Sequence, residues 1–332
     1  MTGPRVIPLT IAPPLWDVII IGAGPAGLSA ALVLGRCRRR VLLCDSGTPR
    51  SWAAHRMHGF LSRDGMDLDQ FRHTAQEQLL NYPSVRFHTG AATGVSKNTG
   101  TGFGVQFADS GNQHSRKLLL ATGVFDELPK ITNIQRFFGI SVHPCPYCEG
   151  WEMQDRPVAV YGKGRRGFEM ARAMTAWSSD ILLCTDGPAR LSAAQRQALA
   201  ANQIQVVTTR IAELRGESGH LRAIHFADGT HRERGALFFD TPCHPQSQFA
   251  KQLGCRMTRS GSILCGEYEA SSVPGVYAAG NILKDVQLSI VAAAEGARAA
   301  FGINRALTRE DFARATRYAG APSGLQVQNI SW

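Results

Sequence analysis

The chain has 332 residues, 44% hydrophobic and 19% charged, with a formal net charge of +10. That length accommodates two domains, each with its own core, and that composition describes a soluble globular protein. Eight cysteines with a single close pair exclude a disulfide scaffold, and no second C-x-x-C completes a zinc site, so no metal is expected. The positive charge predicts attraction to acidic proteins, phosphates or anionic membrane surfaces, which leaves peripheral membrane association open. No basic stripe with interleaved aromatics points to nucleic acid.

Residues 1–14 carry no long apolar run, so they do not read as a secretory signal, and a cytoplasmic protein is expected. Residues 17–21 form a continuous β-branched run, the pattern of a buried parallel strand. Gly22-Ala23-Gly24-Pro25-Ala26-Gly27 follows at once, then a predicted helix to about residue 35, a second strand over 41–44, and Asp45. The glycines allow a tight turn and close approach of the backbone to a pyrophosphate, which meets the helix N-terminus, and the carboxylate accepts from ribose hydroxyls. Glycines and a proline interrupt the apolar stretch 18–34, which excludes a membrane span. Arg36 and Arg38 to Arg40 fall at the helix end, where cations offset the helix dipole. Cys44, and later Cys184, end apolar runs and are expected in the core.

Further along, 118–123 reads as the strand and turn at which the chain leaves its first domain. Then comes Cys145-Pro146-Tyr147-Cys148-Glu149-Gly150, a dithiol pair at a predicted helix start, where a thiolate is favoured. The nucleotide pattern recurs, with a strand at 158–161, Gly162-Lys163-Gly164-Arg165-Arg166-Gly167, a helix to about 177, a strand at 181–184 and Asp186. Gly22 to Asp45 spans 23 positions, and Gly162 to Asp186 spans 24. A fourth signal, 272–281, returns the chain to the first domain, with 239–245 as the hinge. A helix over about 288–300 follows, and 307–318 is again helix-like. A dithiol between two dinucleotide-binding units suits two-electron exchange between a flavin and a disulfide.

These four signals in this order, with C-x-x-C just before the second loop, resemble low-molecular-weight thioredoxin reductases over roughly 17–306. The resemblance implies an α/β fold of two Rossmann-like, three-layer domains, the second inserted into the first. Residues 1–125 with 244–332 would form the FAD domain, and 126–243 the central domain. It implies a homodimer with FAD held by Gly22, Gly24, Pro25, Ala26, Gly27, Asp45, Ala121, Thr122, Gly123, Gly280, Asn281, Gln287, Leu288 and Ser289. Asn281 stands where the family usually has Asp, and its amide can still accept a hydrogen bond. The resemblance also places Cys148 against the flavin and Cys145 toward substrate. Glu149, where the family has Asp, becomes the candidate general acid–base, with His143 as a second candidate. Pro146-Tyr147 matches the glutaredoxin dipeptide, associated with a couple about 40–70 mV more oxidising than thioredoxin's.

Two departures matter. Where NADPH-using relatives carry a basic cluster for the 2′-phosphate, this chain has Thr185, Asp186 and Gly187, and a carboxylate there repels a phosphate. Asp186 suits NADH or the adenosine half of a second flavin, while Lys163, Arg165 and Arg166 crowd the loop. The segment 55–65 is similar to a subgroup that does not act as NADPH reductases, which includes FAD-dependent dithiol oxidases of disulfide metabolites. The chain is most like another branch of it, the diflavin-linked disulfide oxidoreductases of oxygenic photosynthetic bacteria, with a second FAD in the vestigial nicotinamide domain. His55 and His58 read either as proton relays or as residues that hold this loop, and Trp332 as a C-terminal aromatic over the flavin. The leading expectation is oxidation of a dithiol substrate through Cys145 and Cys148. An NAD(P)H-dependent disulfide reductase and a non-catalytic flavin redox sensor are the alternatives.

Overall fold

The computed structural model describes residues 15–50, 52–98, 102–283 and 286–319. Strand Trp16–Ile21 pairs in parallel with Val41–Asp45 on one side and Gly111–Leu120 on the other. Val85–Thr89 extends the first edge in parallel, while Phe103–Phe107 and Ala92–Lys97 extend the second as an antiparallel meander. Gly111–Leu120 is long enough to serve two neighbours on one side, because Val276–Ala278 pairs with its end at Leu118, Leu119 and Leu120. Val18, Ile19, Ile20, Val41, Leu43 and these three leucines are all buried, as strands covered on both faces require. Each such side chain contributes about 1.5–3 kcal/mol on removal from water.

One layer over this sheet is a helix pair, Pro25–Arg36 against Ser289–Ala319. They touch through small residues. A Cβ on Gly296 would sit 2.0 Å from the Ala26 carbonyl oxygen, so the backbones meet only because that position is glycine. The second helix runs unbroken to Ala319, joining the 288–300 and 307–318 stretches that were expected as separate helical segments. Its far end is anchored by hydrogen bonds and ion pairs. Arg39 donates to Asn304, Thr308 and Asp311, each at 2.7 Å, and Arg116 bonds Glu310 at 3.0 Å and Asp311 at 2.7 Å. This corrects the sequence reading of the 36–40 cluster, since Arg39 ties down the C-terminal helix and does not merely offset a dipole.

The second sheet is parallel, ordered Val142–His143, Ala236–Phe239, Val158–Tyr161, Ile181–Cys184, Gln205–Val207. Helices Gly164–Met174 and Ala193–Ala201 accompany it, the latter opened by a capping box between Ser192 and Gln195. A three-stranded antiparallel sheet, Ile211–Glu217, His220–Phe226 and His231–Glu233, covers its other face around Leu214, Ile224 and Leu237. Cys44 and Cys184 are buried as expected, and burial pushes the Cys184 thiol up to about 12. The chain passes between the sheets in an antiparallel ribbon, Val124–Asp126 with Cys243–Pro245. Among the described residues no helix is long and apolar enough to cross a membrane.

Candidate active site

Both Gly-rich loops join a parallel strand to a helix, yet they differ. Gly22 has φ +111°, and a Cβ there would lie 2.2 Å from the Ala121 carbonyl oxygen, while a Cβ on Gly27 would lie 1.8 Å from that of Gly22. Gly24 has nothing within 4 Å of its would-be Cβ. The turn is therefore packed tightly beneath and open above, the shape an anion-binding helix start needs. Beside it Asp45 ends its strand, with Oδ1 accepting from the Gly47 amide at 2.9 Å and Oδ2 from Arg72 at 3.4 Å.

A cavity of about 470 Å³ runs from this loop to the dithiol. Gly22, Gly24, Pro25, Ala26, Asp45, Ala121, Thr122 and Gly123 line it at one end. Gly280, Asn281, Gln287, Leu288 and Ser289 line it as well, and Gly27 lies just beneath. Sequence reasoning missed the polar groups that support this wall. The Gly280 amide donates at 2.6 Å to the buried carboxylate of Glu295. Arg50 holds Asp126 with two bonds of 2.8 and 2.6 Å and Gln287 with a third of 2.7 Å. No local pattern marks Arg50, because Asp126 lies 76 positions on and Gln287 lies 237.

The same cavity is lined by His143, Cys145, Cys148 and Glu149. Cys145 caps the short helix Pro146–Glu149 and is joined to Cys148 by a disulfide, with Cα atoms 5.4 Å apart. Gly150 lets Trp177 pack close, since a Cβ there would sit 2.6 Å from its indole ring. Burial first, and the Glu152 carboxylate second, push the Glu149 carboxyl up to about 7, where it both gives and takes a proton near neutrality. His143 is 2% exposed, and burial lowers it to about 4 despite a hydrogen bond to the Ile140 backbone. It is therefore a neutral imidazole, and its Nε2 has no partner. His58 also lines the cavity, whereas His55 is exposed.

The second loop is closed by its own chain. Gly164 has φ +57°, donates its amide to the Ala189 carbonyl at 2.8 Å, and would place a Cβ 3.3 Å from the Arg190 oxygen. Asp186 accepts from the Tyr161 hydroxyl at 3.4 Å and the Ile211 amide at 3.2 Å. Arg166 engages Asp240 and the Thr241 carbonyl while its side chain stays 54% exposed, a helix-start residue in solvent with its charge paired. Gly162, Lys163 and Arg165 complete this turn, which is more crowded at Gly164 than the first loop is at Gly24. Trp332 lies outside the described residues.

A two-Rossmann fold with an open dinucleotide cradle opposite a disulfide defines a flavin-dependent disulfide oxidoreductase. The family model described as pyridine nucleotide-disulphide oxidoreductase matches residues 16–296, and the chain belongs to that family. Thioredoxin reductase tcpT of Claviceps purpurea is 31% identical over 284 residues, 81% of this chain and 88% of that protein. The crystal structure of HlmI superposes with a TM-score of 0.86 at 35% identity, covering 92% of this chain and 96% of that one. An oxidoreductase from Agrobacterium tumefaciens gives 0.82 at 30%, covering 89% and 99%. The protein is thus an FAD-dependent oxidoreductase acting on disulfides, of thioredoxin reductase-like architecture. The first cradle, the Asp45 carboxylate and the cavity leading to the cysteines fit that cofactor.

Proposed function

We propose that the protein oxidises substrate dithiols to disulfides, with FAD at the first Gly-rich loop as electron acceptor. The observation that carries this reading is the contrast between the two loops. The open one shares a cavity with the disulfide, and the one a nicotinamide would need is closed by Ala189 and Arg190. The reading therefore assigns one flavin to each chain and leaves the second unit without a bound nucleotide, in place of the second FAD or NADH expected from Asp186.

A substrate thiolate attacks Cys145 Sγ, forming a mixed disulfide and breaking the bond to Cys148. The released Cys148 thiolate takes a proton from Glu149, the adjacent half-buried carboxyl. The second substrate thiol gives its proton to a base in the cavity, Glu149 or the unpartnered Nε2 of His143, and displaces Cys145. The substrate leaves as a disulfide, and Cys145, released as a thiolate, takes from solvent a proton equal to the one lost there when the first substrate thiol ionised, so the enzyme ends as two thiols. FAD, when bound, supplies the two-electron sink that restores the enzyme disulfide. The order of the cysteines follows the family, since both residues are half-buried here. A homodimer in the cytoplasm completes this reading.

The experiment is incubation of the flavin-loaded protein with a dithiol peptide in air, followed by mass spectrometry. Catalytic loss of two hydrogen atoms from the peptide, abolished in Cys145→Ser and Cys148→Ser, supports the reading. Catalytic reduction of a disulfide peptide by NADPH or NADH, with no dithiol oxidation, overturns it.

A further inference from the structure

Glu149 and Glu152 are three positions apart on consecutive helical turns, Pro146–Glu149 and Trp151–Met153, which sets both carboxylates on one side. One polar atom of each, together with one of the His58 ring, lies within 4.8 Å of the others. His58 Nδ1 is 3.5 Å from Glu152 Oε1 and 3.8 Å from Asp64 Oδ1. The Glu152 side chain is 33% exposed, that of His58 16% and that of Asp64 74%, so the series Glu149, Glu152, His58, Asp64 runs from beside the disulfide to the exposed Asp64. Glu152 Oε2 is buried without a hydrogen-bond partner, an unused acceptor in the cluster that holds Glu149. Burial, together with the Glu152 carboxylate, favours the protonated form of Glu149.

The other charged groups nearby are placed differently. Of the cavity residues, Arg50 is held by Asp126 and Gln287, Arg72 by Asp45, and His143 is neutral. Arg56 also lines the cavity. On helix Gly164–Met174, which packs against the dithiol turn, Arg166 engages Asp240 and Glu169 pairs with Arg172. Among the described residues, Glu152 is the charge that adds to burial in raising the Glu149 carboxyl.

We propose that Glu152 and His58 are positioning residues of the thiol–disulfide step, passing the proton of Glu149 between the cysteine pair and solvent at Asp64. When the Cys145–Cys148 bond breaks, Glu149 protonates the leaving Cys148 sulfur and is refilled through Glu152 and His58. When the second substrate thiol is deprotonated, its proton returns along the same path. The two protons that the substrate thiols release are matched by the two that the cysteine sulfurs take up, exchanged through Glu149 and solvent, and the enzyme disulfide is the only oxidant the step needs. The proposal rests on Glu149 as the acid–base of this exchange but not on the direction of electron flow, since either direction moves the same protons.

The test uses flavin-loaded wild type, Glu149→Gln, Glu152→Gln and His58→Ala, with retained flavin content and circular dichroism as evidence of folding. With the cysteine pair reduced anaerobically, its alkylation by iodoacetamide is followed against pH by mass spectrometry. Wild type is expected to show an inflection near neutrality that Glu149→Gln abolishes and Glu152→Gln moves down by about one pH unit. In His58→Ala, opening of the oxidised pair by dithiothreitol is expected to slow about tenfold, within the range of general acid–base effects, and to recover with added imidazole. An inflection lost in Glu149→Gln but unmoved in Glu152→Gln, or a His58→Ala defect that imidazole does not relieve, overturns the relay alone. An inflection that survives in Glu149→Gln removes the acid–base role of Glu149, and the relay with it.

Discussion

The Arg50 guanidinium and the Asp126 carboxylate are joined by two hydrogen bonds, Nε to Oδ2 at 2.8 Å and Nη2 to Oδ1 at 2.6 Å. Asp126 ends one strand of the ribbon that links the two sheets, and Gln287, which accepts from the same guanidinium, reaches Cys243 on the other strand. One cation thus ties both strands of the connector to the wall of the cofactor cavity. The Asp126 side chain is 9% exposed, so loss of Arg50 strands a nearly buried carboxylate.

Replacing either partner alone should therefore be costly. Arg50→Met and Asp126→Asn are each expected to lower stability by about 2–3 kcal/mol, with the double variant losing clearly less than the sum. Denaturant unfolding of the four proteins measures this coupling directly. Additive losses would show that the pair does not act as a unit.

The two loops can be separated by matched substitutions. Gly27→Ala and Gly167→Ala each drive a Cβ onto a carbonyl oxygen, at 1.8 and 2.4 Å respectively. Gly27→Ala is expected to purify with little flavin, and Gly167→Ala to keep about one flavin per chain while melting lower. The flavin released by heat, set against protein concentration, distinguishes them. Close to two flavins per wild-type chain would contradict the single-site reading.

Glu149 also shapes stability against pH. Its carboxyl stands at about 7 in the folded protein, above the ordinary value of 4.5 that the unfolded chain restores. The folded state binds the proton more tightly, so this contribution is full below pH 4.5 and is lost as pH rises through 7. Glu149→Gln is expected to be about 2 kcal/mol more stable than wild type at pH 8, with the difference disappearing toward pH 4.5. Thermal melts across that range check the sign. Loss of dithiol oxidation should accompany the gain.

At the other end of the molecule, Arg39→Ala removes all three bonds to Asn304, Thr308 and Asp311. The final turns of helix Ser289–Ala319 should then exchange their amide hydrogens faster, with little change in the first turns near the cavity. Hydrogen exchange read by mass spectrometry resolves the two ends. Uniform behaviour along the helix would contradict the anchoring role of Arg39.

The features readable in the sequence were those whose physical demand is local. Gly22 and Gly27 must be glycine because a side chain would strike backbone within the same motif or the adjoining strand end, and such demands leave a spacing pattern. The cysteine pair and the buried strands are legible for the same reason. The roles of Arg39 and Arg50 were not, because their partners lie far along the chain, and His58 stood out in its segment with two readings that only its distance to Glu152 helps to separate. What Asp186 bonds to was hidden for a related reason, since its place after the strand says nothing of the Tyr161 hydroxyl and the Ile211 amide, which its carboxylate accepts from. Closure of a backbone loop, as between Gly164 and Ala189, leaves no mark in residue identity.

The most direct test of the account is anaerobic rapid mixing of the flavin-loaded protein with dithiothreitol, and separately with NADPH and NADH, while the visible flavin absorbance is followed. The account predicts bleaching by the dithiol that requires both Cys145 and Cys148, and none on the same timescale with either nicotinamide. Fast bleaching by NADPH or NADH, with the dithiol inert, would contradict it.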